Sequence, residues 1–212
     1  MFLCIAQIGV ILLYILSYFS AMKIRKIFPK DQAYPGVLKT IASVPKQLYY
    51  LGAEPAKLLI LPAVAIVGSR KVSSYRQRVI EELAGALAKR GIVVISGLPM
   101  GVDTIAHRAA IAAGGKTIAI LPCGLDTIYP SSSRQLAKQI LATSGTILTE
   151  YPEQTVPFES NFVARNRIVS GLAKTLLITE AAEKSGSLHT AKFALDQGRE
   201  VCAVPGSIYS QT

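Results

Sequence analysis

Small residues and permanent positive charge meet at several points along the chain. Residues 64–70 read V-A-I-V-G-S-R and residues 93–97 read V-V-I-S-G, so two apolar runs each end in a small-residue turn. At Gly68, Gly97 and Gly101 no side chain separates backbone N–H groups from an approaching anion. Ser69 and Ser96 offer hydroxyl donors, and Arg70 adds a planar, always-charged fork suited to phosphate oxygens. Tight turning alone also accounts for any one of these glycines. Further on, Arg165-Asn166-Arg167 follows the aromatic Phe162. Charges that hold phosphates beside a ring that stacks on a base suit a nucleic-acid strand. A salt bridge to Glu159 or Glu180 is the alternative for either arginine. Ser185, Gly186 and Thr190 form a further anion cradle if a helix begins there, and capping by Ser187 is compatible with that role.

Asp103 and His107, four residues apart, share one helical face. They read either as an acid/base pair or as a cap with a structural hydrogen bond. No nucleophile with a positioned base is evident, and no Gly-x-x-x-x-Gly-Lys-Ser/Thr loop is present. The expectation is a protein without catalytic residues, metal or cofactor. Cys4, Cys123 and Cys202 lack metal-ligand spacing and read as reduced core thiols.

Periodicity places these residues on an alternation of strands and helices. Helices are expected over 75–89, 104–113, 131–144, 164–172 and 188–197, so that 165–167 opens a helix. In the first, Val79, Leu83, Ala86 and Leu87 form the apolar stripe. Strands are expected near 64–67 and over 92–96, 117–121, 146–149, 175–179 and 200–204. This is an α/β pattern: an extended Rossmann-like, doubly wound, mainly parallel sheet with helices on both faces. The loops that follow parallel strands share one rim, so Gly68 to Arg70, Ser96-Gly97, Pro122-Cys123-Gly124 and the residues after Glu180 can line one site.

Composition sets the wider frame. Lys and Arg number 23 against 13 Asp and Glu, a net charge of +10 over 212 residues. Residues 1–80 hold 11 basic and 2 acidic side chains, a net of +9. Such a field favours polyanions or an anionic membrane surface, with a merely solvated basic face as the alternative. Residues 1–22 carry no charge and precede Lys23, Arg25, Lys26 and Lys30. By length and flank they read as a transmembrane helix with the remainder on the cytoplasmic side, or as a buried helix or remnant of a helical domain. From 27 to 62, Pro29, Pro35, Pro45, Pro55 and Pro62 argue for an irregular segment wrapping the domain edge. The expected organisation is therefore an apolar segment 1–22, a basic, proline-punctuated extension 23–62, and a Rossmann-like domain 63–212 truncated at its C-terminal side.

Over residues 34–210 many short motifs recur in order. They run from Tyr34-Pro35, with Leu38, Ile41, Pro45, Leu48-Tyr49 and Gly52, through VAIVGSRK, VVISGLPMGVDTIAHRAA, GGKTIAILPCGLDTIYP and GTILTEYP, to NFVARNRIVSGLAKTLLITE and the stretch ending AVPGS. In these the chain resembles the DNA-processing protein A (DprA/Smf) family. The resemblance implies a cytoplasmic, homodimeric protein without enzymatic activity. Such a protein binds single-stranded DNA, protects incoming strands and loads the RecA recombinase in natural transformation. Carried over by motif, the implied DNA contacts are Gly68, Ser69, Arg70, Ser96, Gly97, Arg165, Asn166 and Arg167, with Ser185, Gly186 and Thr190 beside them. The chain departs from the family pattern where Phe162-Val163 replaces the usual Phe-Pro, and where an apolar segment replaces a helical domain. It also stops before the family's further glycine-containing stretch. The alternative is a nucleotide-processing or nucleotide-sensing enzyme of a related Rossmann-like family. The Pro-Gly-Gly-x-Gly-Thr-x-x-Glu loop typical of such enzymes is replaced here by Thr179-Glu180-Ala181-Ala182-Glu183-Lys184-Ser185-Gly186.

Overall fold

Strand segments that are apolar at every position can be buried only between two layers. Residues Ala65, Ile66, Val93, Val94, Ile95, Ile118, Ala119 and Ile120 are all fully buried, on alternating sides of one sheet. The computed structural model describes residues 23–181 and 185–206. Its strands are β1 (Arg25–Ile27), β2 (Leu48–Gly52), β3 (Ala63–Val67), β4 (Val93–Ser96), β5 (Thr117–Ile120), β6 (Thr146–Thr149), β7 (Thr175–Ile178) and β8 (Glu200–Ala203). They form one eight-stranded sheet in the order β1-β2-β6-β5-β4-β3-β7-β8. The pairs from β3 to β8 are parallel, and β1 and β2 join antiparallel beyond β6. This is the α/β, Rossmann-like architecture that the strand-helix alternation implied. The direction in which successive strands are added reverses between β3 and β7, the switch point where such folds leave a crevice.

The helices are α1 (Pro55–Leu58), α2 (Ser74–Lys89), α3 (Val102–Ala112), α4 (Arg134–Ala142), α5 (Glu159–Gly171) and α6 (Gly186–Asp196). One core layer joins β3, β4 and β5 to α5 through Ala65, Ile95, Ile120, Ile168 and Val169. The other joins Ile66 and Val94 to Ile80, Ala84, Ala88, Ala106 and Ala110 of α2 and α3. The buried stripe of α2 is thus Ile80, Ala84 and Ala88, rotated from the expected one, and Leu83 is exposed. Close packing on α3 explains the change: alanines let the two backbones approach, so the bulkier Leu83 is left on the outer side.

Residues 27–62 are not merely irregular. The five prolines exclude a long helix, yet β2 fits between Pro45 and Pro55, where none interrupts the ladder. A buried Tyr34 hydroxyl donates to the Pro45 carbonyl at 2.9 Å and pins the loop that leads into it. Cys123 is buried, and burial pushes its thiol up to about 11. Cys202 is exposed, contrary to the core reading, because it lies on β8, which has a strand neighbour on one side only among the described residues. Cys4 and the apolar segment 1–22 lie outside the described residues. Among those described, no helix is long and apolar enough to cross a membrane.

Candidate functional site

The loops after β3, β4, β5 and β6 all open on the same rim, because these strands are parallel neighbours. After β3, Gly68 and Ser69 are partly exposed and Arg70 is exposed. The Ser69 hydroxyl accepts from the Lys71 amide at 3.0 Å, which shapes the turn. The Arg70 guanidinium lies 5.7 Å from the centre of the Phe162 ring. Phe162 in turn meets Tyr129 edge-on, with centroids 5.9 Å apart and planes at 72°. A cation and two aromatic rings therefore stand beside an open backbone turn.

Gly101 explains how the turn is backed. Its φ is +97°, and a side chain there would run into the backbone of Ser69 and Arg70. The loop before α3 can therefore lie directly under Arg70 only as glycine. A separate close approach is at Gly97, where a Cβ would come within 2.5 Å of an Asp103 carboxylate oxygen and 2.6 Å of an Arg165 nitrogen.

Beneath the rim lies a buried polar cluster. Ser96 donates to the Ile66 carbonyl at 2.6 Å, tying β4 to β3. Arg165 is 3% exposed and donates to the Ile120 carbonyl at the end of β5. Its Nε has no partner among the described residues. Burial raises the Asp103 carboxyl to about 6, against the lowering effect of the Arg165 charge, the Ser96 hydroxyl and the Gly97 amide. His107 is fully buried and driven down to about 4 by loss of solvent. Its Nε2 lies 2.6 Å from the Gly97 carbonyl and its Nδ1 beside the Thr117 hydroxyl. His107 thus makes structural hydrogen bonds, whereas Asp103 is not a cap: the N-cap of α3 is Gly101, and no side chain caps it.

Arg167 holds Glu150 with two hydrogen bonds of 2.6 Å and reaches the Ser43 carbonyl with Nε at 3.1 Å. Burial opposes its charge, but the Glu150 hydrogen bonds and charge more than offset this and leave its pKa raised. Neither Glu159 nor Glu180 is the partner; Glu150, at the end of β6, is. Residues 165–167 also do not open a helix. Helix α5 starts at Glu159, where an acidic first turn favours the N-terminus, and the preceding Phe158 carries no capping side chain that would have marked the start. Asn166 reaches the Gly186 carbonyl at 3.4 Å. At the start of α6 the cap is Ser185, whose hydroxyl accepts from the Ser187 amide at 3.3 Å. Thr190 is buried and donates back to the Gly186 carbonyl at 3.4 Å.

Thus Gly68, Ser69 and Arg70 stand on the open rim, Ser96, Gly97 and Arg165 support it from below, and Asn166 and Arg167 link α5 to its neighbours. Three contributors carry no strong sequence signal. Tyr129 completes the aromatic pair, Glu150 is the counterion of Arg167, and Arg76 of α2 is buried and donates to the Thr179 carbonyl at the switch point. Only the position of Glu150 just after a strand hinted at the rim.

Sheet order, the switch point between β3 and β7, and loops that open on one rim define an α/β protein of the extended Rossmann type. The DNA recombination-mediator protein A family model matches residues 25–212. The chain belongs to that family. It is 44% identical over 181 residues to Protein Smf of Synechocystis sp., covering 84% of this chain and 45% of that protein. It is 40% identical over 178 residues to DNA processing protein DprA of Streptococcus pneumoniae, covering 84% and 62%. The chain thus spans about half to two-thirds of these relatives. Among solved structures, DprA of S. pneumoniae superposes with a TM-score of 0.82 at 38% identity, covering 89% of this chain and 65% of that one. DNA processing protein A of Helicobacter pylori, studied for its single-stranded DNA binding mode, superposes at 0.81 with 34% identity, covering 91% and 85%.

Proposed function

We propose that this chain binds single-stranded DNA along the rim, as a recombination mediator of the DprA/Smf type. The observation that carries the reading is the outward Arg70 guanidinium, stacked against Phe162 beside the open Gly68-Ser69 turn. The fork engages phosphate oxygens, the turn adds backbone donors, and the rings of Phe162 and Tyr129 offer faces to bases. The binding mode studied in the H. pylori relative supports it. In this arrangement Ser96, Gly97 and Arg165 position the rim and Arg70 touches the strand directly. Asn166, Arg167, Ser185, Gly186 and Thr190 shape the neighbouring wall. Protection of incoming strands, loading of RecA in natural transformation and action as a homodimer belong to the same proposal. Tethering to a membrane would depend on residues 1–22.

Oligothymidylate binding measured across a salt series tests it. Arg70→Ala should weaken binding about tenfold or more and flatten the dependence of log K on log salt by roughly 0.7 for each phosphate no longer neutralised. Single strands should bind more tightly than duplex of the same length, with little preference among bases. A folded Arg70→Ala protein that binds as the parent does would remove the site.

A further inference from the structure

We infer that the single-strand path does not end at the rim loops but continues across the antiparallel edge, over a second contact formed by Lys26, Lys30 and Lys46 with Phe28 and Tyr49. This rests on the single-strand reading above and extends its site. Two antiparallel steps return β1 to the direction of β6, so the residues after β1 and those before β2 emerge on the same rim as Arg70. Five strand spacings separate β3 from β1, a span of about 24 Å. All three lysines are exposed. The Lys26 ammonium lies 5.0 Å from the Phe28 ring centre and 5.4 Å from that of Tyr49, its cross-strand partner. Phe28 is itself 38% exposed. The edge therefore repeats the pairing of a cation with aromatic rings found at Arg70.

Of the acidic groups along the way one is paired with a cation, two accept backbone amides, and Glu153 is exposed. Glu150 is held by Arg167, Asp126 accepts from the Gln154 amide, and Asp31 accepts from the Phe28 amide. Lys46 shares an open depression with Gln47, Glu150 and Arg167. Because Arg167 and Glu150 neutralise each other, Lys46 supplies the uncompensated charge there. The concentration of basic side chains before residue 80 thereby gains a location and a partner.

Length dependence separates this contact from the rim. The full chain and its Lys26→Ala/Lys30→Ala/Lys46→Ala variant are titrated with oligothymidylates of four and fifteen nucleotides across a salt series, beside Arg70→Ala. Melting curves confirm that each variant is folded. The triple variant should bind the four-nucleotide probe within twofold of the parent. It should bind the fifteen-nucleotide probe tenfold or more weakly, with a salt slope smaller by roughly 2, at about 0.7 per phosphate. Arg70→Ala should weaken both probes. Parental affinity and slope of the triple variant for the longer probe overturn the edge contact and leave the rim standing if Arg70→Ala still weakens both. If Arg70→Ala weakens neither while the triple variant fails to hold the longer probe, the rim reading falls, and with it the continuous path. Loss of binding to phosphatidylserine vesicles with unchanged binding to the longer oligonucleotide would make the edge a membrane surface and overturn the proposal.

Discussion

Asp103 and His107 carry opposite protonation consequences within one buried cluster. Burial raises Asp103 from its ordinary value of 3.8 to about 6 and lowers His107 from 6.5 to about 4. Between about pH 4 and 6 the unfolded chain holds the histidine proton and lacks the aspartate one, whereas the folded chain does the reverse. Each group changes stability by about 1.4 kcal/mol per pH unit, in opposite directions, so their contributions cancel. In Asp103→Asn only His107 remains, and stability relative to the parent should rise as pH climbs from about 4 to about 6, the range over which Asp103 titrates. In His107→Gln only Asp103 remains, and relative stability should fall as pH climbs from about 4 to 6.5, the range over which His107 titrates. Urea unfolding of both variants at several pH values checks the signs, and parallel profiles would disprove the coupling. Lys in place of Arg165 should also fail to restore the site. One ammonium cannot replace a planar guanidinium that donates to the Ile120 carbonyl and keeps its charge near the Asp103 carboxyl.

Helix α5 is the element that converts four separate strand ends into one surface. It sends Phe162 to Arg70, Asn161 to the Pro122 carbonyl at 3.1 Å, Arg165 under Gly97 and Arg167 to Glu150. Arg167→Ala should lower stability by about 2 kcal/mol, since it leaves Glu150 mostly buried without its bidentate partner. Adding Glu150→Ala should recover part of that loss, and a double-mutant cycle on chemical denaturation measures the coupling. A cycle that shows simple additivity would mean the pair contributes nothing of its own. For α2 the cap is Ser73, whose hydroxyl accepts from the Arg76 amide at 3.3 Å. Ser73→Ala should cost about 1 kcal/mol in thermal unfolding.

At the scale of the whole molecule, the sheet gathers charge that is dispersed along the chain. Lys26, Lys30, Lys46 and Arg70 reach one rim because β1 and β2 attach beyond β6, at the opposite side of the parallel strands from β7 and β8. Binding that depends on such a field weakens steeply with ionic strength, so affinity for any single strand should fall by orders of magnitude between low and moderate salt. A salt-independent affinity would locate the binding energy in the rings instead of the rim cations.

Local pattern was enough for the parallel core. Apolar runs such as V-A-I-V and V-V-I-S, punctuated by Gly91 and by Gly114-Gly115, determine where strands and helices alternate, because periodicity and turn chemistry act over a few residues. They also determine that the Gly-Ser-Arg turn follows a strand and hence lies on the rim. Tertiary structure alone decided which charges remain available there. Arg70, Arg165 and Arg167 are the same residue type, yet one faces outward, one lies under Gly97 and one is held by Glu150. Their partners come from strands and helices distant in the chain, and burial follows from packing that no local window contains. The two antiparallel strands escaped the sequence for the same reason: β1 has three residues, β2 is flanked by prolines, and the pairing of β2 with β6 spans about a hundred residues.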